Sequence, residues 1–150
     1  MSEYGLTAGE RRLVEAARAV AARAYAPYSG FQVGAAVLGG SGQVYLGVNV
    51  ENASYPVALC AERNAVGSAV TAGESEIRAV AMAGGDQAAS TVAPCGMCRQ
   101  FLAEFGPGVR VVWRREGQWV SEPVSTLLPS AFALDGARLV SGAAAGEETP

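Results

Sequence analysis

The chain has 150 residues, half of them apolar and 17% charged, with a mean hydropathy of +0.19. These values exclude a disordered chain, a collagen and a coiled coil, and predict one domain that buries roughly 68–70% of the surface its unfolded chain exposes. Eleven cations against fourteen anions leave a formal charge of −3 and a pI near 5.0, without the basic excess expected of a nucleic-acid binder. The chain has no His, and every cation is Arg. Ser-His-Asp and Cys-His catalysis, a lysine Schiff base and a P-loop lysine are therefore all excluded. Acid–base chemistry near neutral pH must then come mainly from Asp, Glu, Cys, Tyr or a water activated by a metal. No opening segment has the order of a signal peptide and no 18-residue uncharged apolar run could span a bilayer, so a cytoplasmic location with no membrane partner is expected. Three cysteines, an odd number, read as ligands or a nucleophile in a reducing compartment.

In chain order, Thr7-Ala-Gly-Glu10 has the form of a capping box, with Leu13, Val14, Ala17, Val20 and Ala21 at helical spacing behind it. The pattern predicts a helix from Thr7 to Tyr25, stopped by Pro27. Phe31–Leu38 and Gln43–Asn49 read as a β-hairpin across Gly39-Gly40-Ser41-Gly42, followed by a loop from Asn49 to Pro56. A helix is expected over Ala58–Ala72 with Gly73 just past its end. Ile77–Ala83 reads as a buried strand, and Gly84–Pro94 as an irregular connection. Cys98–Phe105 is helical and stops at Gly106-Pro107. Val109–Trp113 and Trp119–Val124 pair across Arg115-Glu116-Gly117-Gln118, and Thr126-Leu-Leu-Pro129 suggests a short helix. Ala143–Pro150 reads as a frayed tail. Interleaved strands and helices imply an α/β fold, one mostly buried sheet sandwiched between helices.

The cysteines fall in two clusters, Cys60-Ala61-Glu62 and Pro94-Cys95-Gly96-Met97-Cys98, each opening an expected helix. Two such clusters can converge on one ion, and three thiolates match the protein ligand count of a catalytic zinc that keeps one position for water. Three thiolates and Zn²⁺ sum to −1, which helix N-termini and Arg63 would offset. Residues two apart do not share a face within a helix, so Cys60 must sit at the very start if Glu62 is to lie near the same ion. A carboxylate there can accept a proton from water activated by the metal. Other readings of the same residues are a structural zinc, which wants a fourth ligand, a Cys95/Cys98 redox pair, ordinary buried Cys, and a solvated helix face at Glu62 and Arg63.

At these residues the sequence resembles the cytidine deaminases, in their small homotetrameric branch acting on nucleosides. The stretches that carry the resemblance are Ala26-Pro-Tyr-Ser29, Phe31-Gln-Val-Gly-Ala-Ala36, Asn49-Val-Glu-Asn-Ala-Ser-Tyr-Pro56, Cys60-Ala-Glu-Arg63, Pro94-Cys-Gly-Met-Cys-Arg-Gln100 and Leu127-Leu-Pro129 before Phe132. The resemblance implies a three-layer α/β/α fold with a mixed sheet of about five strands. It places the deaminase domain in residues 1–134, with 135–150 an unmatched and partly disordered extension. It further implies Cys60, Cys95 and Cys98 as ligands of one Zn²⁺ per chain, Glu62 as proton shuttle, and Arg63 as a donor to the ligand sulfurs. Asn49 and Glu51 look like the pair that holds the ribose hydroxyls, Phe31 like the aromatic that lines the base pocket, and the Ala61 N–H would face the pyrimidine carbonyl. Phe132 resembles an aromatic inserted by a neighbouring subunit, and Ala53 and Tyr55 resemble inter-subunit contacts. The implied reaction is hydrolysis of cytidine or 2′-deoxycytidine to uridine or 2′-deoxyuridine with release of ammonia, in pyrimidine salvage.

A deaminase of a nucleoside antibiotic such as blasticidin S would share the cysteine motifs, but Asn49-Val-Glu51-Asn-Ala-Ser-Tyr55 looks like the ribonucleoside reader. A nucleic-acid base editor is disfavoured by the acidic pI, and a zinc-stabilised binding module would fill all four coordination positions. Asn52-Ala-Ser54 matches a glycosylation sequon without a secretory segment to go with it.

Overall fold

Thr7 begins the first helix as its neighbours imply: its hydroxyl accepts from the Glu10 N–H at 3.2 Å, and the Glu10 carboxylate accepts from the Thr7 N–H at 2.8 Å. In the computed structural model, which describes residues 5–84 and 91–134, helix α1 (Ala8–Ala21) buries Leu13, Val14, Ala17, Val20 and Ala21 as one stripe. It ends short of the expected Tyr25. The Gln32 amide donates to the carbonyls of Ala22 and Ala24, both at 3.3 Å, taking up acceptors that another helical turn would have used. Tyr25 is thereby free to bridge Val50 in an extended conformation, its N–H donating to Asn49 and its carbonyl accepting from Glu51. The expectations for part of the Gly84–Pro94 connection and for the 135–150 extension lie outside the described residues.

Five strands follow among the described residues: β1 (Val33–Gly39), β2 (Val44–Val48), β3 (Ile77–Gly84), β4 (Arg110–Arg115) and β5 (Gln118–Pro123). Their order is β2-β1-β3-β4-β5, antiparallel throughout except for the parallel β3–β4 pair. Parallel neighbours need a crossover, and it carries α3 (Gly96–Ala103). The β4–β5 hairpin turns on Glu116 (φ 49°) and Gly117 (φ 82°), the doubly left-handed turn whose twist matches the flanking strands.

Side chains alternate across this sheet and both faces are covered. Ala36, Ala79, Ala81, Val112 and Trp119 pack with α1, where the Arg18 guanidinium lies 5.1 Å from the Trp119 ring centre. Ala35, Val37, Val80, Met82 and Val111 pack on the other face with α2 (Ala61–Thr71) and with Leu102 of α3. The expected three-layer α/β/α sandwich with a mixed five-stranded sheet is thus the observed architecture.

The helices approach the sheet closely because two strand positions lack a Cβ. At Gly34 a Cβ would fall on the Ala17 carbonyl oxygen and lie 2.9 Å from the Ala21 nitrogen; at Gly47 it would strike the Ala65 nitrogen and lie 2.6 Å from the Ala61 oxygen. Backbone cannot move aside as a side chain can. Gly34→Ala is expected to cost about 3 kcal/mol, the upper part of the range for overpacking, read as a fall in melting temperature of roughly 6–12 °C. A melting temperature within 1 °C of wild type, on the order of the measurement error, would show that α1 lifts off the sheet without penalty.

The remaining boundaries shift by local chemistry. Helix α2 begins at Ala61, with extended Cys60 as its N-cap, and α3 begins at Gly96, with extended Cys95 as its N-cap. Helix α2 thus starts later than the expected Ala58, and α3 earlier than the expected Cys98. The last helix, α4 (Val124–Leu127), follows directly from β5 and cannot reach Pro129, because Leu128 precedes proline and is pushed out of the helical region to φ −139°, ψ 78°.

Candidate active site

Cys60 and Cys95 cap α2 and α3, and neither side chain makes a capping hydrogen bond. The free N–H groups of both first turns, with their partial positive charge, therefore remain directed towards the ends where the sulfurs collect. The Sγ atoms of Cys60, Cys95 and Cys98 all lie within 4.8 Å of one another. Cys60 and Cys95 are 3.9 Å apart, and Cys95 and Cys98 are 3.5 Å apart. Two thiolates on a tetrahedral zinc, each at about 2.3 Å, stand roughly 3.8 Å apart, so these spacings fit that ion.

Two of the three thiols also set each other's protonation. Cys60 is drawn down to about 5, first by the hydrogen bond from Cys98 and then by Arg63 and Cys95, against the effect of burial. Cys98 is driven upward by the same bond to Cys60 and by burial next to Glu62. One sulfur ionises by holding its neighbour's proton. A divalent ion is what lets all three ionise together.

Glu62 is 6% exposed. Burial is the main force that raises its carboxyl to about 7, and the Cys60 charge adds to it, while its own backbone N–H pulls the other way. A group that gains and loses a proton near neutral pH is placed next to the sulfurs, in a chain with no His. Behind the cluster, Arg63 Nη2 donates to the Ala58 carbonyl at 2.9 Å and approaches Cys60 Sγ at 3.8 Å.

These groups open on a cleft of about 300 Å³ with three walls. The first holds Phe31, Val33 and Asn49, where Asn49 accepts from the Val33 N–H at 2.8 Å and donates to the Phe31 carbonyl at 2.9 Å. The second is the start of α2, from Cys60 to Glu62. The third is Thr91–Ala93 with Cys95. A neighbouring hollow of about 340 Å³ contains Glu51 and Tyr55 together with Tyr28 and Ser29. There Glu51 Oε1 accepts from the N–H groups of Tyr28 (3.0 Å) and Ser29 (3.1 Å), which ties Ala26-Pro-Tyr-Ser29 to Glu51. The Ser29 hydroxyl first, and then those backbone bonds, hold the Glu51 carboxyl below its ordinary value.

Phe31, Asn49, Cys60, Ala61, Glu62 and Cys95 thus meet in one cleft, with buried Cys98 beneath them. Glu51 and Tyr55 lie next door, and Ala53 is exposed on the same loop. Phe132 is not brought to this cleft. It is 70% exposed and lines a separate hollow with Ala103 and Leu128, its carbonyl accepting from Gln100 Nε2 at 2.9 Å. Thr91, Val92 and Ala93 were not legible as site residues: they carry no periodic pattern, and only their position just before Pro94-Cys95 could have pointed to them.

An α/β/α sandwich that gathers three thiols at paired helix starts beside a buried carboxyl has the donor set of a zinc-binding hydrolytic enzyme. A family model described as "Cytidine and deoxycytidylate deaminase zinc-binding region" matches residues 8–114. The chain is 39% identical to the cytidine deaminase of Sporosarcina psychrophila over 81% of its own length and 90% of that protein's. It is 43% identical to the cytidine deaminase of Halalkalibacterium halodurans over 75% and 85% of the two lengths. The crystal structure of cytidine deaminase from Burkholderia pseudomallei superposes with a TM-score of 0.75 at 44% identity, covering 85% of this chain and all of that one. The chain belongs to the cytidine deaminase family. No helix among the described residues is long and apolar enough to cross a membrane.

Proposed function

We propose that this enzyme hydrolyses cytidine and 2′-deoxycytidine to uridine and 2′-deoxyuridine with release of ammonia, in cytoplasmic pyrimidine salvage, with one Zn²⁺ per chain held by Cys60, Cys95 and Cys98. The convergence of those three sulfurs beside buried Glu62 is the observation that carries this reading. The names of the relatives supply the substrate class. When bound, zinc supplies Lewis acidity that makes water a nucleophile near neutral pH.

The chain's own groups do the rest. Glu62 takes a proton from the attacking water and gives it to N3 of the pyrimidine as the water oxygen bonds to C4. The same carboxyl then carries the remaining hydroxyl proton to the 4-amino nitrogen. The C4–N bond breaks, ammonia leaves, and C4 becomes the carbonyl of uracil. A carboxyl poised at about 7 suits both directions of transfer. The Ala61 N–H, at the first position of α2, holds the pyrimidine carbonyl, Phe31 covers the base, and Asn49 and Glu51 take the ribose hydroxyls. Arg63 moderates the charge of the sulfurs.

Residues 1–134 form the deaminase domain and 135–150 an extension. The assembly is a homotetramer with shared active sites, in which Phe132 enters a neighbouring pocket and Ala53 and Tyr55 make contacts between subunits. The exposure of Phe132 and Tyr55, 70% and 73%, supports that placement. The test is metal analysis of the purified protein together with the ultraviolet absorbance of cytidine. Stoichiometric zinc and loss of cytidine absorbance are expected; a protein with zinc and no turnover of cytidine or deoxycytidine would be a binding module.

A further inference from the structure

Two walls of the cleft are ends of regular elements: Asn49 directly follows β2, and residues 60–62 begin α2. The third, Thr91–Ala93, belongs to no helix and to none of the five strands. Buried Val92 pins it inward, and exposed Thr91 and Ala93 flank that anchor and line the cleft. Two hydrogen bonds tie it to the tip of the β4–β5 hairpin. The Val92 N–H donates to the Arg114 carbonyl at 2.8 Å, and the Glu116 N–H donates to Thr91 Oγ1 at 3.1 Å. Because Glu116 sits in the left-handed region at the tight turn, its N–H direction is set by the turn itself.

The cysteine that follows is held differently. Arg99 Nε donates to the Pro94 carbonyl and Nη1 to the Leu127 carbonyl, both at 2.9 Å, and Cys95 caps α3. The segment is therefore clamped twice, at the hairpin tip before Ala93 and at Arg99 after it. The two clamps share no residue.

From this we infer that Thr91 is a positioning residue for substrate: its hydroxyl, by accepting from the Glu116 amide, fixes the third wall, so that nucleoside affinity depends on it while the cysteines and Glu62 stay in place. The inference deepens the deamination reading and rests on it for its kinetic arm. A wall that must be ordered when the ligand arrives weakens ground state and transition state alike, which raises KM and leaves kcat.

The experiment compares Thr91→Val, which keeps the shape and loses the acceptor, with Thr91→Ser, which keeps the hydroxyl. For Thr91→Val on the zinc-loaded enzyme, KM for cytidine should rise about fivefold, what one neutral hydrogen bond contributes, with kcat within about twofold and zinc content unchanged. Amide exchange at Val92 and Glu116 should quicken, and Thr91→Ser should restore both readouts. Exchange at those amides equal to wild type in Thr91→Val overturns the inference whatever the turnover. So does a fall in kcat at constant KM, a loss of zinc, or a serine variant that behaves as the valine one does. Wild type without cytidine turnover but with faster exchange in Thr91→Val would overturn the deamination reading and leave the wall assignment standing.

Discussion

Glu62→Gln should bind zinc as wild type does and turn over cytidine about 10⁴-fold more slowly, the upper end of what one positioned proton carrier contributes. The upper end applies because one side chain serves every proton step of the proposed reaction. The amide has the same shape, so the cleft keeps its lining, but it can neither take a proton nor return one. The usual replacement carriers are missing, since the chain has no His and no Lys, and among the described residues Glu62 is the one carboxyl that lines the cleft. Stability should not fall with activity. Burial already pushes the carboxyl up to about 7, so the charged form is disfavoured where it sits, and a neutral amide removes that cost. The measurements are kcat on cytidine, zinc content and melting temperature. Turnover within tenfold of wild type, well inside the roughly 10²–10⁴ that such a group supplies, would take Glu62 off the proton path.

Cys95→Ala should abolish activity by losing the ion. Only Cys60 and Cys98 would remain of the three thiols, and two thiolates make too few ligands for a zinc that keeps an open position. The fold should survive, because the Cys95 side chain makes no capping bond to α3 and its backbone carbonyl still accepts from the Arg99 N–H. The expected melting temperature is therefore that of wild type stripped with a chelator, and adding chelator to the variant should lower it no further. A full equivalent of zinc in Cys95→Ala would show that the ligand set is wrong.

Much of this architecture was legible from side-chain chemistry alone. Thr7 and Glu10 announce the first helix, and the five apolar positions read from its spacing are the five it buries. The hairpins follow from short apolar runs on either side of glycine, and the two cysteine motifs fall at helix starts as their chemistry requires. What could not be read depends on distant partners. Helix α1 ends at Ala21, and the carbonyls of Ala22 and Ala24 just past it are taken by Gln32 from the next segment. Glu51 is aimed by backbone N–H groups of Tyr28 and Ser29, 23 and 22 residues earlier. Thr91–Ala93 is held as a cleft wall partly by a hairpin that follows it in the chain, which no local pattern marks. Phe132 shows the limit most plainly: within one chain it reaches a different hollow, and its proposed place lies in another copy.

The separation of the sulfurs along the chain has a bearing on how the protein holds together. Cys60 and Cys95 stand 35 residues apart in the chain, one before and one after β3, yet their sulfurs are 3.9 Å apart. The spacing that fits one ion is thus set by the folded sheet, in which β3 lies between β1 and β4. An ion held by all three sulfurs would tie the start of α2 to the start of α3 and so favour the folded chain over the unfolded one.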